Sequence, residues 1–268
     1  MSNQSLPEEI TSYDLLKSVA VVLMVVDHLG YYFFYDDPWW RALGRIGFPV
    51  WFFLVGYSTG RGLPARLTMS AIVVQVSSGV VGLAQLPLNA LFTIIAIRVV
   101  IDPLMRFALQ SRTRLWLACA ALAAIALPSC AWSEYGTLGL ITAMFGYMVR
   151  HRKFTDEDPL ALHFMIFALL TFVSCQQLLY GFSMAQFMVM ALFTAAMHYT
   201  ILHFKPRTYA AMSATCPSAL TAVIQLCGRR TLEIYVVHLI AFGVLGVMLE
   251  IPGMGWFKWR SGFRFLEF

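Results

Sequence analysis

Charge is scarce in this chain. Asp, Glu, Lys and Arg make up 12% of its 268 residues, against 59% hydrophobic residues and a mean hydropathy of +0.71. Soluble domains carry roughly 25% charge, so the polar surface of a soluble protein is missing. Polar stretches longer than a loop are also missing, which excludes a separate soluble domain. The composition reads as one integral-membrane domain over 1–268, with a polar opening at 1–14 and a polar, aromatic tail at 252–268. Cysteine pairs are absent too: Cys119, Cys130, Cys175, Cys216 and Cys227 lie apart, in or beside apolar runs. They read as small hydrophobes, and exclude a disulfide framework and a metal site. No nucleophile elbow, phosphate loop or zinc spacing occurs, so the motif-defined soluble enzymes are excluded. The opening "MSNQSLPEEITSYD" is polar and acidic, unlike a cleavable signal peptide. The first apolar run is therefore expected to persist as a transmembrane helix.

What is present is a series of apolar runs near the 20 residues needed to cross a bilayer. Helices are predicted at 15–35, 40–58, 67–85, 88–109, 114–131, 136–149, 160–180, 183–203, 209–227 and 231–251. The expected fold is an all-α, polytopic transmembrane bundle of about ten spans. Basic residues cluster in alternate loops: Arg61 and Arg66; Arg106, Arg112 and Arg114; Arg150, Arg152 and Lys153; Lys205 and Arg207; Lys258, Arg260 and Arg264. The loops between them are poor in Lys and Arg. That pattern is orientation signal for a protein partnered by the lipid bilayer, not a nucleic-acid stripe, despite a net charge of +5. It places both ends of a ten-span chain in the cytoplasm. In a nine-span alternative 209–227 lies in the interface, Arg229 and Arg230 turn inward, and the C-terminal end turns outward.

A charge at mid-membrane costs at least about 2.5 kcal/mol, so each one needs a reason. Asp27 and His28 sit within "VVLMVVDHLGYYFF", ten residues or more beyond Lys17. Adjacent helical residues point about 100° apart, so each requires its own partner on another helix. His238, in "GRRTLEIYVVHLIAFGV", falls at a comparable depth, and two imidazoles at one level make a plausible site. Arg45 is within reach of Asp27. Structural hydrogen bonds and a structural ion pair are the plainer alternatives for all four. Arg98 and Asp102 have the spacing of an intrahelical ion pair, and Glu134 is expected near water at the outer end of its connection.

The same segments carry a family resemblance. "LLKSVAVVLMVVDHLGYYFF" and "WWRALGRIGFPVWFFLVGYSTGR" resemble the opening of the TraX family, conjugal-transfer membrane proteins associated with pilin acetylation. The matching residues are Asp27 and His28, then Gly44, Arg45, Phe48 and Pro49. "NALFT" follows with Asn89, Phe92 and Thr93, then Tyr135, Gly136 and Gly139, and finally Tyr235, His238 and Leu239. "GRRTLEIYVVH" is also similar to the terminal motif of the broader membrane acyltransferase-3 group. The resemblance implies a bacterial inner-membrane acetyltransferase that uses acetyl-CoA on the N-terminal amine of processed pilin. In that frame His28, Asp27 and His238 are the expected catalytic residues, with His28 as base. Arg45, Arg61 and Arg66 would meet the anionic donor, and Asn89, Thr93, Tyr135 and Tyr235 would orient substrate. An envelope glycan as acceptor, or a proton-coupled transporter, are the alternatives.

Overall fold

A computed structural model describes residues 9–151, 160–258 and 260–263 of the chain. Arg152, Lys153 and Arg264, assigned above to basic loops, lie outside the described residues. Among those described, the chain forms thirteen α-helices, one 3-10 turn and two short strands. The all-α class holds, apart from a parallel pairing of β1 (Ala84–Leu86) with β2 (Arg260–Phe263).

The first helix, α1 (Ser12–Tyr32), starts at a capping box. Thr11 Oγ1 accepts from the Asp14 amide at 3.2 Å, and Asp14 Oδ2 accepts from the Thr11 amide at 3.0 Å, which satisfies two end donors reciprocally. The predicted helix at 40–58 is not continuous. It is built as α2 (Pro38–Gly44), a 3-10 turn (Arg45–Gly47) and α3 (Phe48–Tyr57). Asp37 caps α2, and Pro38 starts it with φ already helical. Gly44 lets this segment press onto α1, because a Cβ there would collide with the main chain of Asp27. Farther on, α4 (Ala65–Val80) leads to β1 and then to α5 (Ala90–Ala108). A broken arm of α6 (Arg112–Ala124) and α7 (Ala126–Cys130) returns to α8 (Gly136–Arg150). The hairpin of α9 (Leu160–Tyr180) and α10 (Met184–Leu202) precedes two short helices, α11 (Ala210–Thr215) and α12 (Ser218–Arg229), and then α13 (Thr231–Met248).

Four helices, α1, α9, α10 and α13, are long and apolar enough to cross a membrane. They expose Val22, Leu178, Leu192 and Val237, as helices that face lipid must. The predicted span at 209–227 is replaced by helices of six and twelve residues. At 1.5 Å per residue, twelve residues reach about 18 Å, well short of a hydrocarbon core of about 30 Å. Direction changes accordingly. Arg229, just before α13, meets Asp14 at the start of α1; His238 meets His28, and Phe242 meets Tyr32 farther along. Thus α1 and α13 run parallel, and Ser12 and Met248 lie at opposite ends of the bundle.

Two helices begin inside the bundle. Asn89 caps α5, and its Nδ2 donates to the Ala71 carbonyl at 2.9 Å, midway along α4. The turn before α8 runs alongside: the Leu88 amide donates to the Trp132 oxygen at 3.0 Å, and the Glu134 amide to the Leu88 oxygen at 2.8 Å. Both N-termini therefore meet at one level, beside a cavity.

Candidate active site

The cavity measures about 210 Å³. It runs from Leu67, Thr231 and Leu232, near the starts of α4 and α13, to Gly44, Gly47 and Glu134 deeper in the bundle. Its walls are mainly apolar, with Met24, Phe48, Trp51, Leu91 and Ile94 contributing. Few polar groups converge on it, and those that do include Asp27, His28, Glu134 and Tyr135. An apolar pocket with a few convergent polar groups is the usual form of a small-molecule site.

His28 Nδ1 lies 2.7 Å from His238 Nε2, so the depth match expected for the two histidines is a direct hydrogen bond. The far nitrogen of His238, Nδ1, is 2.5 Å from the main-chain oxygen of Ile234. Tyr235 meets both imidazoles edge-on, each with ring centroids 5.9 Å apart, and Phe242 packs at 5.5 Å on His238. His28 lines the cavity, whereas His238 stands behind it.

Asp27 belongs to a second cluster. Arg41 Nη1 is 2.9 Å from its Oδ2 and Arg45 Nε is 3.2 Å from its Oδ1, so Arg45 reaches Asp27 as expected. Both guanidiniums also donate to Tyr180 Oη, Arg41 at 3.0 Å and Arg45 at 2.5 Å. Arg45 further stacks 4.9 Å from the centroid of Tyr135. Both oxygens of the carboxylate are thus engaged by cations. The geometry therefore separates the adjacent pair: Asp27 anchors α1 to α2 and α9, and His28 addresses α13. Arg45 is buried within the cluster and does not line the cavity, contrary to a direct donor contact.

The remaining expected residues divide in the same way. Tyr135 and Tyr235 line the cavity. Tyr135 holds a left-handed φ of 68°, rare outside glycine, and its ring stacks on Phe48 at 4.1 Å. Asn89 is spent on the α5 cap, Ala71 and Gln75, and Thr93 Oγ1 pairs with Ser133 Oγ and the Glu134 carbonyl. Neither lines the cavity; Asn89 ties the start of α5 to α4, and Thr93 holds the turn that carries Glu134 and Tyr135. Glu134 lines the cavity, and its Oε2 accepts from the Ala90 amide at 3.1 Å, at the start of α5.

Arg61 pairs with Asp102 at 2.9 Å and donates to the Val55 carbonyl, closing the end of α3 away from the cavity. The expected Arg98–Asp102 pair is thereby replaced, since Arg98 instead donates to the Gly60 and Gly62 carbonyls. Those carbonyls lie on the connection after α3, which folds over α5 and outcompetes the intrahelical partner. Arg66 remains near the mouth, directly before Leu67, and shares Glu233 with Arg230.

Sequence reasoning missed Arg41, Tyr180 and Arg230. Arg41 and Arg45 are four residues apart, one helical turn, and that spacing signals a shared face. Tyr180 gives no local signal, because only the α9–α10 hairpin brings it to Arg41 and Arg45.

A family model described as TraX protein matches residues 12–246, most of the chain and all of the site just described. The chain belongs to the TraX protein family. An uncharacterized protein of Rickettsia prowazekii (strain Madrid E) is 28% identical over 148 residues, covering 53% of this chain and 58% of that protein. The chain thus spans a little over half the length of that relative. No solved structure matches. Within the TraX match lie both histidines, so the pair joins the first and last helices of the family region.

Proposed function

We propose that this TraX-family protein is an inner-membrane acetyltransferase that moves the acetyl group of acetyl-CoA to an amine, the N-terminus of processed pilin. The observation that carries this reading is the His28–His238 hydrogen bond at 2.7 Å, with His28 facing a mostly apolar cavity. The family resemblance supplies the acceptor.

The chemistry follows from groups in place. A neutral imidazole, with an ordinary pKa near 6.5, can take a proton from an α-amine whose pKa is about 8 as the amine attacks the thioester carbon. The C–N bond forms, the C–S bond breaks, and the proton held by His28 passes to the departing thiolate. The products are an amide and free CoA. Low water content in an apolar cavity disfavours hydrolysis of the thioester.

Size bears on where the donor sits. A cavity of about 210 Å³ is below the 300–1,000 Å³ typical for whole drug-sized ligands. The thioester arm enters, and the anionic nucleotide stays at the mouth beside Arg66 and Arg230. Arg61, held by Asp102 and the end of α3, has no part in donor binding in this reading.

The test is purified protein with acetyl-labelled acetyl-CoA, offered peptides with free N-termini and, separately, envelope glycans. Label on a peptide amine with an equal release of CoA is expected, together with a loss of about 100-fold or more in His28→Ala. Label on glycan alone would move the acceptor to a hydroxyl. Full transfer by His28→Ala would overturn the assignment of the base.

A further inference from the structure

The hydrogen bond between the two histidines has a direction. A carbonyl oxygen only accepts, so the Ile234 oxygen fixes a proton on Nδ1 of His238, 2.5 Å away. In neutral His238 the lone pair then lies on Nε2. Its partner at 2.7 Å, Nδ1 of His28, must donate. The lone pair of neutral His28 is thereby assigned to Nε2.

We propose that His238 is a positioning residue: it holds His28 as the Nδ1–H tautomer, so that Nε2 of His28 receives the acceptor's proton. The catalytic meaning rests on the acetyl-transfer reading above; the tautomer does not. A neutral histidine side chain in water favours the opposite form, with the proton on Nε2. The protein must therefore supply the bias, and a hydrogen bond to the other nitrogen is how proteins supply it.

The surroundings suit this role. His238 is not on the cavity wall, so it does not meet substrate, whereas His28 does line the cavity. Tyr235 and Phe242 pack edge-on against the His238 ring at 5.9 Å and 5.5 Å, which limits its rotation. His198 offers an internal contrast. Its Nδ1 is also fixed by the carbonyl four residues earlier, Thr194, at 2.9 Å, but its ring stacks on Phe145 in the core. The same back-bond is thus structural at 198, and at 238 it is passed on to a second imidazole.

The role also fixes the proton's path. When the amine's proton arrives on Nε2, His28 becomes an imidazolium whose Nδ1–H still donates to His238. The proton leaves from Nε2 to the thiolate, and His238 keeps its own proton throughout. It stabilises the charged intermediate as an acceptor and shuttles nothing.

The experiment is nitrogen NMR of the full-length protein, labelled with ¹⁵N-histidine in lipid nanodiscs, on wild type, His238→Gln and His238→Leu. Gln retains an acceptor oxygen at the position of Nε2, and Leu does not. In wild type and His238→Gln, His28 is expected with Nδ1 protonated and Nε2 bare. In His238→Leu it should shift toward the Nε2–H form. Acetyl transfer should follow the tautomer, with kcat lowered about 10²- to 10⁴-fold in the Leu variant, the KM for acetyl-CoA little changed, and substantial rescue in the Gln variant. An Nε2–H form of His28 in wild type, or a tautomer unmoved by His238→Leu, overturns the proposal. The expected tautomer in a wild type that transfers no acetyl group overturns the acetyltransferase reading while upholding the hydrogen-bond assignment.

Discussion

Arg41 holds Asp27 twice: its Nη1 lies 2.9 Å from the side-chain Oδ2 and donates to the main-chain oxygen at 2.9 Å. One guanidinium thus fixes both the carboxylate and the helix that carries it, one residue before His28. Removing Arg41 strips a buried carboxylate of one of its two cations. Removing Asp27 leaves two buried guanidiniums facing each other. Breaking a buried ion pair costs about 3–5 kcal/mol, so Arg41→Ala should destabilise by that order and Asp27→Ala by more. Thermal unfolding in detergent reads both. An Asp27→Ala protein as stable as wild type would show that the cluster is not the anchor described here.

Tyr180 gives a finer test of the same cluster. Phe at 180 keeps the ring that lies 5.0 Å from Arg45 and 5.2 Å from Arg41, but loses the oxygen that accepts from both. Two guanidinium N–H groups are left without that partner, at about 1–3 kcal/mol for each buried donor unsatisfied. Tyr180→Phe should lower the unfolding temperature measurably while leaving the KM for acetyl-CoA unchanged.

Thr93 separates a substrate contact from a structural tether. Its hydroxyl pairs with Ser133 and donates to the Glu134 carbonyl at 2.6 Å, so the turn carrying Tyr135 hangs on it. Thr93→Val is expected to cost about 1–2 kcal/mol of stability and to lower kcat without raising the acceptor's KM. A selective rise in the acceptor's KM would restore Thr93 to the substrate-binding role expected from the sequence.

The two arginines expected at the donor should behave differently. Arg66→Ala, at the cavity mouth, should raise the KM for acetyl-CoA several-fold, with an effect that shrinks as salt rises and screens the charge. Arg61→Ala should leave that KM alone and reduce stability, because Asp102 and the Val55 carbonyl lose their partner. Steady-state kinetics at two ionic strengths distinguish the outcomes.

Much of this was legible along the chain because membrane sequences are emphatic. A helix must hide every backbone polar group from lipid, so the apolar runs of α1, α9, α10 and α13 stand out, and charges inside them stand out more. His28 with His238, and Asp27 with Arg45, were readable from depth and reach alone. The breaks at Arg45–Gly47 and at 125–126 were not readable, since both run through apolar or helix-compatible residues and are imposed by packing. Nor was the inward start of α5. Asn89 looked like a polar residue near the entrance of a full span, whereas its partners are Ala71 and Gln75, halfway along α4. Arg98 and Asp102 misled for a related reason: their spacing fits an intrahelical pair, but the connection after α3 offers Arg98 two carbonyls and Asp102 another arginine. Local spacing proposes partners, and chain crossings choose among them.

The parallel course of α1 and α13 has a temporal side. His28 and His238 are 210 positions apart, on the first and last described helices. At a synthesis rate of about 5–20 residues per second, the second imidazole emerges some 10–40 s after the first. Until then His28 has no partner on α13, and one wall of the cavity is missing. A half-inserted chain therefore lacks the assembled histidine pair. Competence arrives in a single late event, when the last helix takes its place beside the first.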